Sequence, residues 1–409
     1  MVVMSANYNH DMKKIGLYLE TPPYYGGTFQ YCQTMLEAVA ALPRGRFDVV
    51  VGYTTDVWRD YLAPYPGLRT VQISRGFWGR ALGLAWLQLR LPMGLWRRLS
   101  PWFHPMAKAL LREKCDLWIF PAQDARSFQI PVPALVTILD VVHRYDGRRF
   151  PEAASRWELL YRIPTYANIC RWARGVIVLS EIDKQQVAES YRVSSERLHV
   201  MPMVIPRYIQ DARTPAGFDD RYRLPAKYFF YPAQFWEHKN HQNLLRAMAQ
   251  LKPELPDLKF VLVGSKKNAW ESVVKLINEL GLQGDVILPG YVPDADMPEF
   301  YRRARALIYA SCYGPTNLPP LEALALGCPM ALAEVTCMPD RIGDAALIFH
   351  QDSVAEMADC MRQLWTDDDL CAHLIARGRA KADCWGQDQF NQRLQEIVGQ
   401  LVAVPGARA

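Results

Sequence analysis

Short apolar runs recur along the chain, each closed by a glycine, proline or polar turn and followed by a stretch whose apolar positions fall at helical spacing. In the first half they occupy residues 15–20, 47–53, 116–120, 135–140, 176–180 and 198–201. In the second half they occupy residues 228–233, 259–264, 285–290, 306–310 and 328–334. Runs of that length between turn signals predict buried strands, and the periodic stretches between them, such as 29–42, predict helices. Strands alternating with helices imply parallel βαβ units: an α/β protein with doubly wound sheets, whose ligands gather at the carboxyl ends of the strands. From 206 to 226 periodicity is lost and Pro, Arg and Asp dominate, which predicts a linker between a domain over 1–205 and a second over 227–386. A final amphipathic stretch, about 387–409, predicts a closing helix.

One strand and the helix after it carry the strongest chemical signal. The run 306–310 leads into Gly314, Pro315, Thr316 and Asn317, and a helical stretch from about Pro319 stops at Gly327. A helix N-terminus has unpaired N–H groups and about half a positive charge, so Thr316, Asn317 and Leu318 form a ready anion site. Glu322, one turn further in, can face the same ligand. Gly26 and Gly27 make a comparable strand-to-helix turn near the start, where a backbone can approach a ligand closely. Asp140 and His143 lie at and just past a strand end, where they could hold hydroxyls by hydrogen bonds. Ser180 ends a strand and begins a helix, so a capping role is expected.

Size and composition add bounds. A chain of 409 residues suits two domains of about 200 residues each. Half of it is apolar, the charged fraction of 22% is ordinary, and a net charge of +5 gives no reason to expect a nucleic-acid partner. Nine scattered cysteines without a CxxC pair read as reduced core thiols of a cytosolic protein. The first ten residues show neither a basic start nor a long apolar centre, so no signal peptide is expected.

The segment 75–114 departs from this background. It holds eight Lys or Arg against the single acid Glu113, interleaved with Phe77, Trp78, Trp86, Trp96, Trp102 and Phe103. Leu, Trp and Arg recur at helical spacing over 81–99, with Pro92 expected to break or kink the helix. One apolar and one cationic face would let the segment lie on an anionic membrane without crossing it. The alternative is a helix pair packed on the first sheet with its arginines in water.

The residues around 310–329 resemble the donor-binding motif of the retaining glycosyltransferases of family 4, whose two-domain architecture is called GT-B. The Leu318-Pro319-Pro320-Leu321-Glu322 half of that motif is kept, while Gly314 stands where its first Glu belongs. The resemblance implies two Rossmann-like domains facing a cleft, the first binding the acceptor and the second a nucleotide sugar. It implies that Lys239, together with Gln234 in place of an Arg and Ala233 in place of a Gly, lies at the donor diphosphate. Gly27, Gly264 and Lys266 join them there, Lys266 or Lys267 replacing the missing cation. Tyr291 and Val292 would meet the base, Glu322 the ribose, and Thr316, Asn317 and Leu318 the phosphates. Asp140, His143 and Lys239 would serve the reaction itself, although Leu139 replaces the first His of the family's loop.

The stretches 232–240 and 314–322 resemble a subgroup that builds bacterial O-antigen and related surface polysaccharides, often with mannose or a deoxymannose from a GDP donor. The expected activity is therefore hexosyl transfer with retention, by front-face displacement, to a glycan or lipid-linked acceptor. The protein would be cytoplasmic, peripheral on the inner face of the membrane, and would use neither metal nor other cofactor. Asp294-Ala295-Asp296 and Asp367-Asp368-Asp369 are read as helix caps rather than metal ligands. Alternatives are a nucleotide-sugar epimerase and a catalytically silent GT-B binding protein; no motif supports a sugar phosphorylase.

Overall fold

The computed structural model describes residues 12–74, 77–145, 156–210, 213–314, 317–334, 342–382 and 385–403. The chain divides into two compact units: Met1–Val141, Ser155–Met201 and Gln387–Ala409 form the first, and Val142–Ala154 with Pro202–Gly386 the second.

The first unit is built on seven parallel strands, β1 (Lys13–Leu19), β2 (Phe47–Tyr53), β3 (Arg69–Gln72), β4 (Leu117–Phe120), β5 (Ala134–Thr137), β6 (Gly175–Val178) and β7 (Leu198–Val200), in the order β3-β2-β1-β4-β5-β6-β7. Ile15 of β1 pairs with Val49 on one side and Leu117 on the other. Apolar side chains on both faces of β4, β5 and β6 are buried, as a parallel sheet covered by helices requires. Gly16 allows this packing locally: a Cβ there would come within 2.3 Å of the Trp118 ring. The last helix, Gln387–Ala403, lies against the helix Gly27–Ala40, with Phe390 meeting Tyr31 edge-on at 6.0 Å and Arg174 bonded to the Leu401 carbonyl.

The segment 75–114, of which Arg75 and Gly76 lie outside the described residues, folds as three helices, Phe77–Gln88, Met93–Phe103 and Pro105–Arg112. Pro92 precedes the second helix and sets the break. The simple division into an apolar and a cationic face does not hold. Arg97 is buried, giving bonds to the carbonyls of Phe128 and Ile130 at 2.7 and 2.9 Å and lying over the Trp172 ring. Trp96 is buried beside it. Leu82, Leu84, Leu89, Leu91, Leu95, Leu99, Trp102 and Phe103 are exposed instead, as are Arg90, Arg98, Lys108 and Arg112. No described helix is long and apolar enough to cross a membrane.

The second unit has six parallel strands, β8 (Phe229–Pro232), β9 (Phe260–Val263), β10 (Val286–Gly290), β11 (Ala306–Tyr309), β12 (Met330–Ala333) and β13 (Leu347–Phe349), in the order β10-β9-β8-β11-β12-β13. The stretch expected as a linker over 206–226 is instead part of this unit. Its two short helices, Arg207–Gln210 and Phe218–Tyr222, are fastened by aromatic and polar anchors that have no period to read. Phe218 and Tyr222 pack on Phe300 at 5.3 and 4.8 Å, and Asp296 accepts from Tyr222 and Arg221 at 2.7 and 2.5 Å. Asp296 is thus an anchor and not the cap expected of it, since its side chain makes no capping bond to the helix Met297–Arg303. Asp367 does cap, accepting from Leu370 N at 2.8 Å, and so does Ser180, which accepts from Asp183 N.

Candidate nucleotide site

The strand order of the second unit reverses between β8 and β11, and the carboxyl ends of these two strands are where a doubly wound sheet opens to a ligand. The turn after β8 carries Gln234 and Lys239; the turn after β11 carries Ser311, Gly314 and Asn317 and leads into the helix Leu318–Leu326. A backbone bond from Cys312 N to the His238 carbonyl ties the turns together. Lys239 Nζ donates to Tyr309 Oη and to Ser311 Oγ, both at 3.2 Å. Tyr309 Oη in turn donates to Asn317 Oδ1 at 2.6 Å. Burial pushes the Tyr309 phenol far above its ordinary pKa, so it remains a donor at any working pH.

Asn317 was expected for its backbone N–H, yet its side chain organises the turn. Its Nδ2 donates to the Gly314 carbonyl at 2.9 Å, and a Cβ on Gly314, whose φ is +147°, would lie 2.2 Å from the Asn317 amide. The space a motif glutamate would need is therefore filled by Asn317, which explains the glycine at 314. Thr316 lies outside the described residues. Pro319 and Pro320 carry no N–H, so the donors at this helix start are the amides of Asn317 and Leu318.

Glu322 is 3% exposed and both its oxygens are occupied: Tyr208 donates to Oε1, and Tyr301 to Oε2 at 2.5 Å. Burial raises this carboxyl to about 7, and the two phenols pull it part of the way back. Gln234 accepts from Trp236 Nε1 at 2.9 Å. Gly264 follows β9, and a Cβ there would come within 2.3 Å of the Ala233 carbonyl oxygen, so the backbones after β8 and β9 lie close. Lys266 is exposed and rests over the Trp270 ring at 4.6 Å, while Lys267 rests over Trp236 at 5.2 Å. Tyr291 is 66% exposed after β10, and the next residue, Val292, is buried.

Gly27, Asp140 and His143 lie on or beside other elements. Gly27 opens the helix Gly27–Ala40 in the first unit, preceded by a 3-10 turn, Pro23–Tyr25, and by Gly26 at φ +54°. Asp140 follows β5 and pairs with Arg162 at 3.7 Å. His143 is buried in the short helix Val142–Tyr145, which counts with the second unit. Among the described residues no group of three or more His, Cys, Asp or Glu is arranged to hold a metal ion. The sequence assigns no site role to Tyr309, Ser311, Tyr208 or Tyr301 individually. Tyr309 ends an apolar strand, and Tyr208 falls where a linker was expected, so neither carries a local signal.

Residues 220–381 match the family model for glycosyl transferases group 1. O-antigen chain mannosyltransferase B of Escherichia coli is 29% identical over 217 residues, 51% of this chain and 56% of that protein. O-antigen chain mannosyltransferase RfbU of Salmonella typhimurium is 22% identical over 221 residues, 54% of this chain and 59% of that protein. The matches thus span little more than half of these relatives' length. Among solved structures, Anabaena HepE in complex with UDP and glucose superposes with a TM-score of 0.71 at 17% identity, covering 95% of this chain and all of that one. WaaG, a glycosyltransferase of lipopolysaccharide biosynthesis, does so with a TM-score of 0.64 at 15% identity, covering 95% and 99%. At such identities the likeness concerns the fold, which is GT-B, and the sequence matches make the chain similar to the mannosyltransferases of O-antigen synthesis.

Proposed function

We propose that this GT-B chain, similar to O-antigen mannosyltransferases, is a retaining hexosyltransferase. In this reading it moves mannose or a deoxymannose from a GDP-linked donor to a growing glycan or a lipid-linked acceptor of a surface polysaccharide. The observation that carries the reading is Lys239 at the switch point of the second sheet, linked through Tyr309 to Asn317 at the start of the helix Leu318–Leu326. A cation and a helix N-terminus at one point suit a diphosphate.

In the reaction the acceptor hydroxyl oxygen bonds to the sugar's anomeric carbon on the face from which the diphosphate leaves. The bond from that carbon to the phosphate oxygen breaks, and the acceptor's proton passes to the departing diphosphate. The protein's part is positioning and charge stabilisation. Lys239 and the amides hold the phosphates, Lys266 or Lys267 supplies the second cation, and Glu322 takes ribose hydroxyls. Tyr291 covers the base, while Asp140 and His143 hold sugar or acceptor hydroxyls. The scheme uses no metal. The exposed leucines and basic residues of 75–114 would rest on the anionic cytoplasmic face of a membrane.

Thermal shifts with GDP, UDP and ADP test the nucleotide. A ligand at a hundred times its dissociation constant stabilises by about 2.7 kcal/mol, and GDP should give the largest shift. Lys239→Ala should remove most of it and abolish transfer to a mannan acceptor. No shift with any of the three nucleotides would end the proposal. Gln234 and Gly314, two departures from the family motif, favour a silent binding protein as the second reading; nucleotide binding without transfer would select it.

A further inference from the structure

Each of the two strands at the switch point of the second sheet carries a tyrosine near its carboxyl end, Tyr231 in β8 and Tyr309 in β11. The two rings are buried and pack edge-on, 5.4 Å apart at 88°. A buried phenol needs a partner for its hydroxyl. Tyr231 donates to the Lys239 carbonyl at 2.7 Å, which fixes the backbone of the lysine. Tyr309 accepts from the ammonium of the same lysine at 3.2 Å and donates to Asn317 Oδ1 at 2.6 Å. Asn317 Nδ2 then donates to the Gly314 carbonyl at 2.9 Å.

The two ends of this series of bonds fix the proton positions between them. An ammonium can only donate, so the Tyr309 oxygen accepts and its own proton points onward. A carbonyl can only accept, so Asn317 turns its NH2 to Gly314 and its oxygen to Tyr309. The phenol both accepts and donates, and each bond polarises the next. At 2% exposure it leaves no opening for a water to take over if the hydroxyl is removed. Ser311 holds the ammonium from a second side at 3.2 Å, but its proton goes to the Tyr313 carbonyl at 2.5 Å. Of these groups it is Tyr309 that joins the lysine from the turn after β8 to the helix start after β11. A lysine tied in this way has given up its rotamer freedom before any ligand arrives.

We propose that Tyr309 is a positioning residue: it keeps Lys239 in register with the amino end of the helix Leu318–Leu326, so that a diphosphate meets both as one preformed site. That the ligand is a nucleoside diphosphate rests on the reading given above.

Calorimetry on the full chain with GDP, UDP and ADP identifies the diphosphate that binds best, and saturation-transfer NMR follows the matching nucleoside. Tyr309→Phe keeps the ring against Tyr231 and removes the link. It should weaken the diphosphate by about tenfold and leave the nucleoside unchanged. In Lys239→Ala the ammonium is gone, and adding Tyr309→Phe should cost only about threefold more, from the Asn317 side alone. A tyrosine that served the fold alone would weaken both ligands together, or weaken the diphosphate equally with and without Lys239. Should Tyr309→Phe fail to fold, Asn317→Ala, which breaks the series one bond further on and keeps the backbone amide, should give the same contrast. The inference is overturned if the folded variant binds the diphosphate as tightly as the natural chain, if the nucleoside weakens in parallel, or if the loss is as large in Lys239→Ala. A natural chain that binds none of the three diphosphates would remove the nucleotide reading and this inference together; tight binding that Tyr309→Phe does not change would remove the inference alone.

Discussion

Glu322 illustrates how a single side chain can be both structural and available. Each of its oxygens accepts from a phenol, Tyr208 or Tyr301, and the side chain is only 3% exposed, so a ribose hydroxyl reaches it only where a phenol moves aside. Tyr208→Phe leaves one buried oxygen without its donor, which costs the free protein about 1 kcal/mol and is recovered when a ribose hydroxyl replaces it. GDP affinity, measured by calorimetry, should therefore rise several-fold in Tyr208→Phe; an unchanged value would mean that the ribose does not use Glu322. The same carboxyl makes stability depend on pH. Below pH 4.5 it is protonated in the folded and the unfolded chain alike. Between there and about 7 only the folded chain keeps the proton, so its stabilising contribution is lost as pH rises and is gone above 7. Urea unfolding from pH 4 to 8 should show this decline in the second unit, and Glu322→Gln should flatten it. Asp183 in the first unit, raised to about 7 by burial and by Asp140 despite its bonds to Ser180, has the same sign.

Among the elements, the central strands were legible because burial on both faces makes them continuous apolar runs. β3 was not: Arg69, Thr70 and Gln72 of this edge strand are exposed, and their pattern is that of a loop. The turn before Leu318 was legible as a helix start, but not as a lattice of Tyr309, Asn317 and Gly314, because those contacts depend on how strand and turn meet in space. Gly314→Ala should cost roughly 1–3 kcal/mol in denaturant unfolding, from the collision with Asn317 and the positive φ. Asn317→Gly in the same chain should return the part due to the collision. In the helices of 75–114, composition gave the expectation of an apolar and a cationic face, but not that Arg97 would turn inward and the leucines outward. Vesicles containing phosphatidylglycerol should bind the protein at low salt. Arg90→Gln with Arg98→Gln should weaken this by about thirtyfold, at around 1 kcal/mol per basic residue near the surface. Leu95→Ser with Trp102→Ser should weaken it at all salt concentrations; no effect of either pair would remove the membrane contact.

At the scale of the whole molecule, two sheets of like winding each present a switch point, one between β8 and β11 beside Lys239 and one between β1 and β4. The first unit is assembled from three separate stretches of chain, and the helix Gln387–Ala403 supplies Phe390, Leu394, Ile397 and Val398 to its core. Each such side chain is worth about 1.5–3 kcal/mol when buried. Ending the chain at residue 386 should therefore expose the first unit to proteolysis and rapid hydrogen exchange while the second still binds nucleotide. Loss of both together would show that the units do not fold independently.

The return of the chain also sets an order of events during synthesis. Strands β1 to β7 leave the ribosome first, yet the helix that completes their core is made more than 180 residues after β7 ends at Val200. The second unit, whose residues after Pro202 are consecutive, can close before that helix has been translated. The amino-terminal half must wait with a bare hydrophobic flank along Gly27–Ala40, making it the natural client of a chaperone on the nascent chain.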